Sequence, residues 1–162
     1  APTFFLSSFS YLSMRALYTT PPAAIHTMCV EWPAAKLSWS DFRGTVLGAT
    51  DPSAAKEGSL RRNLYDTWEE CGLEVQPNTG LNGVHGSASP FEALVERMNW
   101  CKVAAADDAF GQGLLAAGID EAKLAAWSAD PQVTLDGTTG SLFDALEDTN
   151  ASSVLAAVRR IE

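Results

Sequence analysis

His85, one of only two histidines in the chain, lies in Leu81-Asn82-Gly83-Val84-His85-Gly86-Ser87-Ala88-Ser89, between glycines and just ahead of a strong helix-start signal. A histidine so placed is exposed and close to the positive end of a helix, which suits a residue that meets phosphate. A neutral imidazole can attack phosphorus and hold it as phosphohistidine, dividing one transfer into two steps. Such chemistry requires positive groups around the phosphate oxygens, commonly with Mg²⁺ bridging the nucleotide phosphates. It also requires a carboxylate on the second ring nitrogen, which sets the tautomer. The chain supplies His85 as nucleophile and Glu96, in the helix that follows, as the residue that orients it. Arg43, Arg61 and Arg62 are the candidate charge partners, and Thr50 and Asn82 the candidate hydrogen-bond donors. Taken singly, each has a commonplace reading as a turn histidine, a solvated arginine or a surface helix residue. Their order along the chain is what joins them.

The best-defined element is the helix after His85. Ser89 is its cap, Pro90 its first residue and Glu92 the partner in a Ser-x-x-Glu capping box. Phe91, Leu94, Val95 and Met98 form its apolar face and leave Glu92 and Glu96 together on another side. Upstream, Leu81 to Gly86 reads as a short strand. The proline-bounded run around Ile25–Trp32 reads as a buried strand. Helices are expected over Thr3–Tyr18, Pro33–Phe42 and Ser59–Trp68, with Gly44–Pro52 a loop, Asp51-Pro52 the start of a turn or short helix, and Glu69–Gly80 irregular. After Lys102 the composition turns alanine-rich and acidic. Helices are expected near Asp107–Ala117, Asp120–Ser128, Ser141–Glu147 and Ser152–Ile161, with a turn at Asp136–Gly140 and an edge strand possible at Gln132–Leu135. This tail carries no active-site motif and suits packing on the domain or on a partner.

Composition limits the partners. With 162 residues and 46% hydrophobic content the chain can bury a real core. A net charge of −9 argues against nucleic acid and anionic membranes, which need clustered lysine and arginine. An anion site must therefore be built locally from a few arginines and backbone N–H groups. Cys29, Cys71 and Cys101 are too few and odd in number for a disulfide framework, which favours a reducing, intracellular compartment. His26-x-x-Cys29 has the spacing of half a metal site without a second half, so no metal centre is assigned. No run reaches the length of a membrane span.

Leu47-Gly48-Ala49-Thr50-Asp51-Pro52, then Lys56-x-Gly58-Ser59-Leu60-Arg61, then Asn82-x-x-His85-Gly86-Ser87-x-Ser89 with Glu96, resembles the nucleoside diphosphate kinase family over roughly Pro22 to Trp100. Leu60-Arg61-x-x-Leu64-Tyr65 is similar to its divergent branch associated with cilia and flagella. The resemblance implies an α+β, ferredoxin-like nucleoside diphosphate kinase-like domain, incomplete at its N-terminus, over residues 1–102, followed by an α-helical C-terminal extension over 103–162. It implies His85 as the phosphorylated histidine, oriented by Glu96. Arg61 and Thr50 would contact nucleotide phosphates, Asn82 the sugar hydroxyl region, and Mg²⁺ would accompany the nucleotide.

The chain also departs from the family. Gly44 stands where the family has a phosphate-binding arginine, with Arg43 one place early, and Ala88 replaces an aspartate. An insertion separates Arg61 from Asn82. The family's opening strand, which bears an active-site lysine, has no counterpart before Ala1, so another segment is expected to complete the sheet. These departures favour a degenerate, pseudoenzyme-like module. It would serve as a structural or nucleotide-sensing subunit among other protein subunits, in the cytoplasm or a ciliary axoneme. The alternative is an active kinase working through phospho-His85.

Overall fold

The computed structural model describes residues 15–162. It divides into a unit over Ala1–Glu31 and a unit over Trp32–Glu162. In the first, residues 15–19 are helical and Thr19 Oγ1 donates to the Arg15 carbonyl at 3.1 Å. The helix expected over Thr3–Tyr18 otherwise lies outside the described residues. The buried strand expected at Ile25–Trp32 does not form. Ile25, Met28 and Val30 are exposed and residues 23–33 have no ladder partner among the described residues, so apolar content alone did not make a strand.

In the second unit, Pro33 closes a turn instead of opening a helix, its carbonyl accepting from Lys36 N at 2.9 Å. The helix α1 starts at Trp39–Asp41, because Ser38 is the better cap: its side chain accepts from Asp41 N. The chain then widens into a π-helical turn, Phe42–Leu47, where a loop was expected. Trp32, Trp39 and Phe42 pack as a cluster, with Trp32 lying 4.4 Å from Phe42 and 5.1 Å from Trp39 between ring centroids. A 3₁₀ turn follows at Pro52–Ala54, capped by Asp51. Helix α2 spans Leu60–Asp66 and is capped by Ser59. Residues 67–88 are irregular apart from a single bridge between Asn78 and Leu81. The strand expected over Leu81–Gly86 is therefore absent; its backbone is held by side chains instead of by a neighbouring strand.

Helix α3, Pro90–Trp100, follows the expected signals. Ser89 Oγ accepts from Glu92 N at 3.1 Å, and the Glu92 carboxylate turns back to the backbone N–H of Ala88. Helices α4 (Ala109–Ala116) and α5 (Glu121–Trp127) are capped by Asp108 and Asp120. Asp108 also pairs with Arg97, tying α4 to α3. Strands β1 (Gln132–Leu135) and β2 (Thr138–Ser141) form an antiparallel hairpin. Its two-residue turn, Asp136-Gly137, has both φ angles positive, the geometry that matches strand twist. The chain end adds to the free edge of β1, with Thr134 and Glu162 exchanging backbone hydrogen bonds of 3.0 Å in both directions. Helices α6 (Leu142–Leu146) and α7 (Ala151–Ala157) complete the unit. The architecture is mixed helix and strand with one small antiparallel sheet among the described residues.

Phe91 and Leu94 of α3 share one core with Leu114, Leu124, Trp127, Val133, Leu142, Leu146, Val154 and Val158. The Phe91 ring meets Trp127 and Phe143 edge-on, at 6.0 and 5.9 Å. Helices beyond Lys102 thus bury the apolar face of α3 and fix its orientation. Phe91→Ala should cost about 3–5 kcal/mol, a large share of the stability of a domain this size. Urea unfolding followed by circular dichroism checks this, with hairpin and helices expected to melt in one transition.

Candidate functional site

Two loops make the site, and they meet through side chain to backbone bonds. Arg61, from the first turn of α2, donates from Nη1 to the Gly48 carbonyl at 2.7 Å and from Nη2 to the Val84 carbonyl at 2.8 Å. Asn82 Nδ2 donates to the Thr50 carbonyl at 3.1 Å, and its Oδ1 accepts from Val84 N at 3.4 Å. Trp39 Nε1 donates to the Ser87 carbonyl at 2.9 Å. Gly48 sits at a φ of +92°, in the left-handed region, with the buried Ser59 side chain against the place a Cβ would take. The approach of the first loop to α2 requires glycine there.

His85 projects from the second loop with its side chain 71% exposed. Its Nε2 lies 2.6 Å from Glu96 Oε1, and Ser87 Oγ donates to Glu96 Oε2 at 2.5 Å. Each carboxylate oxygen therefore has one partner. A carboxylate on Nε2 draws the proton to that nitrogen and leaves Nδ1 as the free lone pair of the neutral ring. The hydrogen bond to Glu96 raises the pKa of His85 above the ordinary histidine value, against a smaller lowering by burial. Burial pushes the Glu96 carboxyl up, but the bonds from His85 and Ser87 outweigh it and hold the group below its usual range. The ionic pairing is thus strongest between the ordinary Glu and ordinary His pKa values. It is lost as pH rises through the raised His85 pKa or falls through the lowered Glu96 pKa.

A cavity of about 660 Å³ opens beside His85, and Arg43, Arg61, Thr50 and Asn82 all line it. The structure so gathers the expected site residues around one space, with Glu96 behind His85. Arg62 is the exception: it pairs with Asp66 at 2.8 Å and with the Ser53 carbonyl, outside the cavity wall. The cations are also committed. Burial, and then the like charge of Arg43, lower the Arg61 pKa. Arg43 Nη1 lies 2.7 Å from Glu147 Oε1 and 2.8 Å from Asp148 Oδ1. Burial opposes charge on Arg43, but its bonds to Asp148 and Glu147 raise its pKa overall.

Sequence reasoning did not find Glu147 and Asp148, which carry no local motif and reach the cavity only through the packing of α6. Ser87 stood within the quoted motif without a role, and its spacing ahead of α3 is the signal that could have assigned one. Glu92 also lines the cavity. Among the described residues no group of three or more His, Cys, Asp or Glu side chains is placed to hold a metal ion. No described helix is long and apolar enough to cross a membrane.

Over 51 residues the chain is 47% identical to a nucleoside diphosphate kinase from Persephonella marina. The match covers 32% of this chain and only 29% of that protein's length. It supports a relationship to nucleoside diphosphate kinases over that stretch. No protein-family model and no solved structure matches the chain.

Glu96→Gln removes the charge that holds the proton on His85. The imidazole should then titrate closer to the ordinary histidine value of about 6.5, lower than in the unsubstituted protein. The His85 ring resonances followed by NMR across pH check this, and an unmoved midpoint would sink the assignment of Glu96 as its partner.

Proposed function

We propose that the chain is a nucleoside diphosphate kinase-like module, degenerate as a catalyst, that binds nucleoside di- or triphosphate and serves as a structural or nucleotide-sensing subunit of a larger assembly. The observation that carries this reading is that both cavity arginines are already engaged. Arg61 is held on the Gly48 and Val84 carbonyls and Arg43 on two carboxylates. A phosphoryl transfer site needs cations free to follow charge as it develops on the transferred group, and here each would first have to leave a partner. Ala88 and the insertion before Asn82 point the same way. A ferredoxin-like ancestry belongs to this reading, as does an axonemal setting. In it, Mg²⁺ enters with the nucleotide phosphates.

His85 with Glu96 and Ser87 favours a second reading, an active kinase. In that reaction the free Nδ1 attacks the γ-phosphorus of a nucleoside triphosphate and the bond to the β–γ bridging oxygen breaks. The diphosphate leaves, and a second diphosphate takes the phosphoryl group from His85. Incubation with γ-³²P-labelled ATP and Mg²⁺ separates the two. The degenerate module should bind nucleotide and acquire little or no acid-labile label. Rapid stoichiometric labelling of the protein, abolished by His85→Ala, would overturn the degenerate reading in favour of the active one.

A further inference from the structure

The cavity wall carries its own anion. We propose that Glu147 and Asp148 form an internal latch on Arg43, holding the place of a ligand phosphate, and that a nucleoside diphosphate binds by displacing them. The inference rests on the nucleotide-binding reading above and adds a regulatory element to the same site.

One guanidinium nitrogen of Arg43 donates to both carboxylates, at 2.7 and 2.8 Å. The turn that bears them is seated on both sides of the cavity mouth. Asp148 N donates to the Ala88 carbonyl at 2.9 Å, next to the His85 loop, and Asn150 Oδ1 accepts from Trp39 N at 2.8 Å, next to the Arg43 helix. Asp148 holds a φ of +57° there, a conformation that L residues rarely adopt. The backbone thus presents the two carboxylates to Arg43, and the ion pair is a product of docking.

Charge balance turns that contact into a gate. With the latch closed, and the His85–Glu96 ion pair adding no net charge, Arg43 and Arg61 face Glu92, Glu147 and Asp148 across the cavity, a wall with more negative than positive groups. Such a wall repels a polyphosphate. If the two latch side chains swing out, two arginines face one carboxylate and the sign reverses. Release is offset by the incoming ligand. Glu147 and Asp148 remain nearly half exposed and Arg43 is 29% exposed, so water screens the pair. A phosphate accepting a charge-assisted bond from Arg43 replaces what is lost. The backbone bond from Asp148 to Ala88 need not break for either side chain to rotate away.

The test is calorimetric titration of the chain with ADP and Mg²⁺. E147Q/D148N removes both charges while keeping shape, and Asn tolerates the left-handed φ at position 148. ADP should bind about three- to tenfold more tightly to this variant than to the unsubstituted protein, the scale of partly screened ion pairs. In an Arg43→Gln background the same two changes should tighten ADP binding by less, because only the repulsion by the two carboxylates is then relieved and no cation is freed; an equal gain in both backgrounds overturns the latch. Unchanged or weaker ADP binding, in a variant that melts as the unsubstituted protein does, overturns the latch and leaves the nucleotide-binding reading standing. No binding by any form overturns both. Should the double variant melt early, E147Q alone must still tighten binding, and its failure to do so overturns the latch.

Discussion

The Arg61 guanidinium, shared between the carbonyls of Gly48 and Val84, is the contact on which the site depends. Neither loop has a strand ladder, so nothing in the backbone pairing sets their separation. A cation partly withdrawn from water and donating to two carbonyls does set it, each such bond being worth about 1.5–3 kcal/mol. Asn82 repeats the arrangement with Thr50, and Gly48 permits the close approach to Ser59. The two loops, and with them Thr50, Asn82 and the backbone of His85, take their separation from this tie. An arginine so used is a framework residue first, and any part it takes in anion binding is through the charge it leaves in the wall.

Helix α3 converts that framework into a site. Its two faces answer to different partners: Phe91 and Leu94 are sunk in the core, while Glu92 and Glu96 look toward the loops. Burial of the first face by the C-terminal helices fixes the rotation of the second. This is how a segment without chemistry of its own governs the geometry of His85 and Glu96. The same packing delivers Glu147 and Asp148 to Arg43, so core and cavity are linked through α6 and the turn that follows it. Rotation of α3, reach of Glu96 and occupancy of Arg43 are consequences of one packing arrangement.

Much of this was legible in the residues. The Ser89-Pro90-x-Glu92 start of α3, its apolar stripe, the helix starts near Ser59, Asp107, Asp120 and Ser141, and the irregular stretch before Gly80 all come from local rules whose partners are within a few positions. The pairing of His85 with Glu96 was legible for the same reason, since a capped helix brings its second turn back over its own entrance. The strands at Ile25–Trp32 and Leu81–Gly86 were misread because a strand is defined by a neighbour, and apolar content does not show whether one is there. Asp136–Gly140 was read as a turn alone; its first two residues are the turn, and the rest form the strand that pairs with Gln132–Leu135. The π-helical turn at Phe42–Leu47 was hidden by Gly44, which argues for a loop on propensity.

The sequence by itself determined the chemical kit: a histidine beside glycine, a carboxylate in the following helix, and arginines and amide donors in a set order. These are matters of residue type and of spacing within a turn or two of helix, where chain geometry leaves few choices. Tertiary structure alone decided how the kit is used. It turned Arg61 onto backbone carbonyls, left Arg62 outside, and brought Glu147 and Asp148 across more than a hundred positions to Arg43. Electrostatic partners at such separation are set by how helices pack, and packing is a property of the whole core that no local pattern encodes.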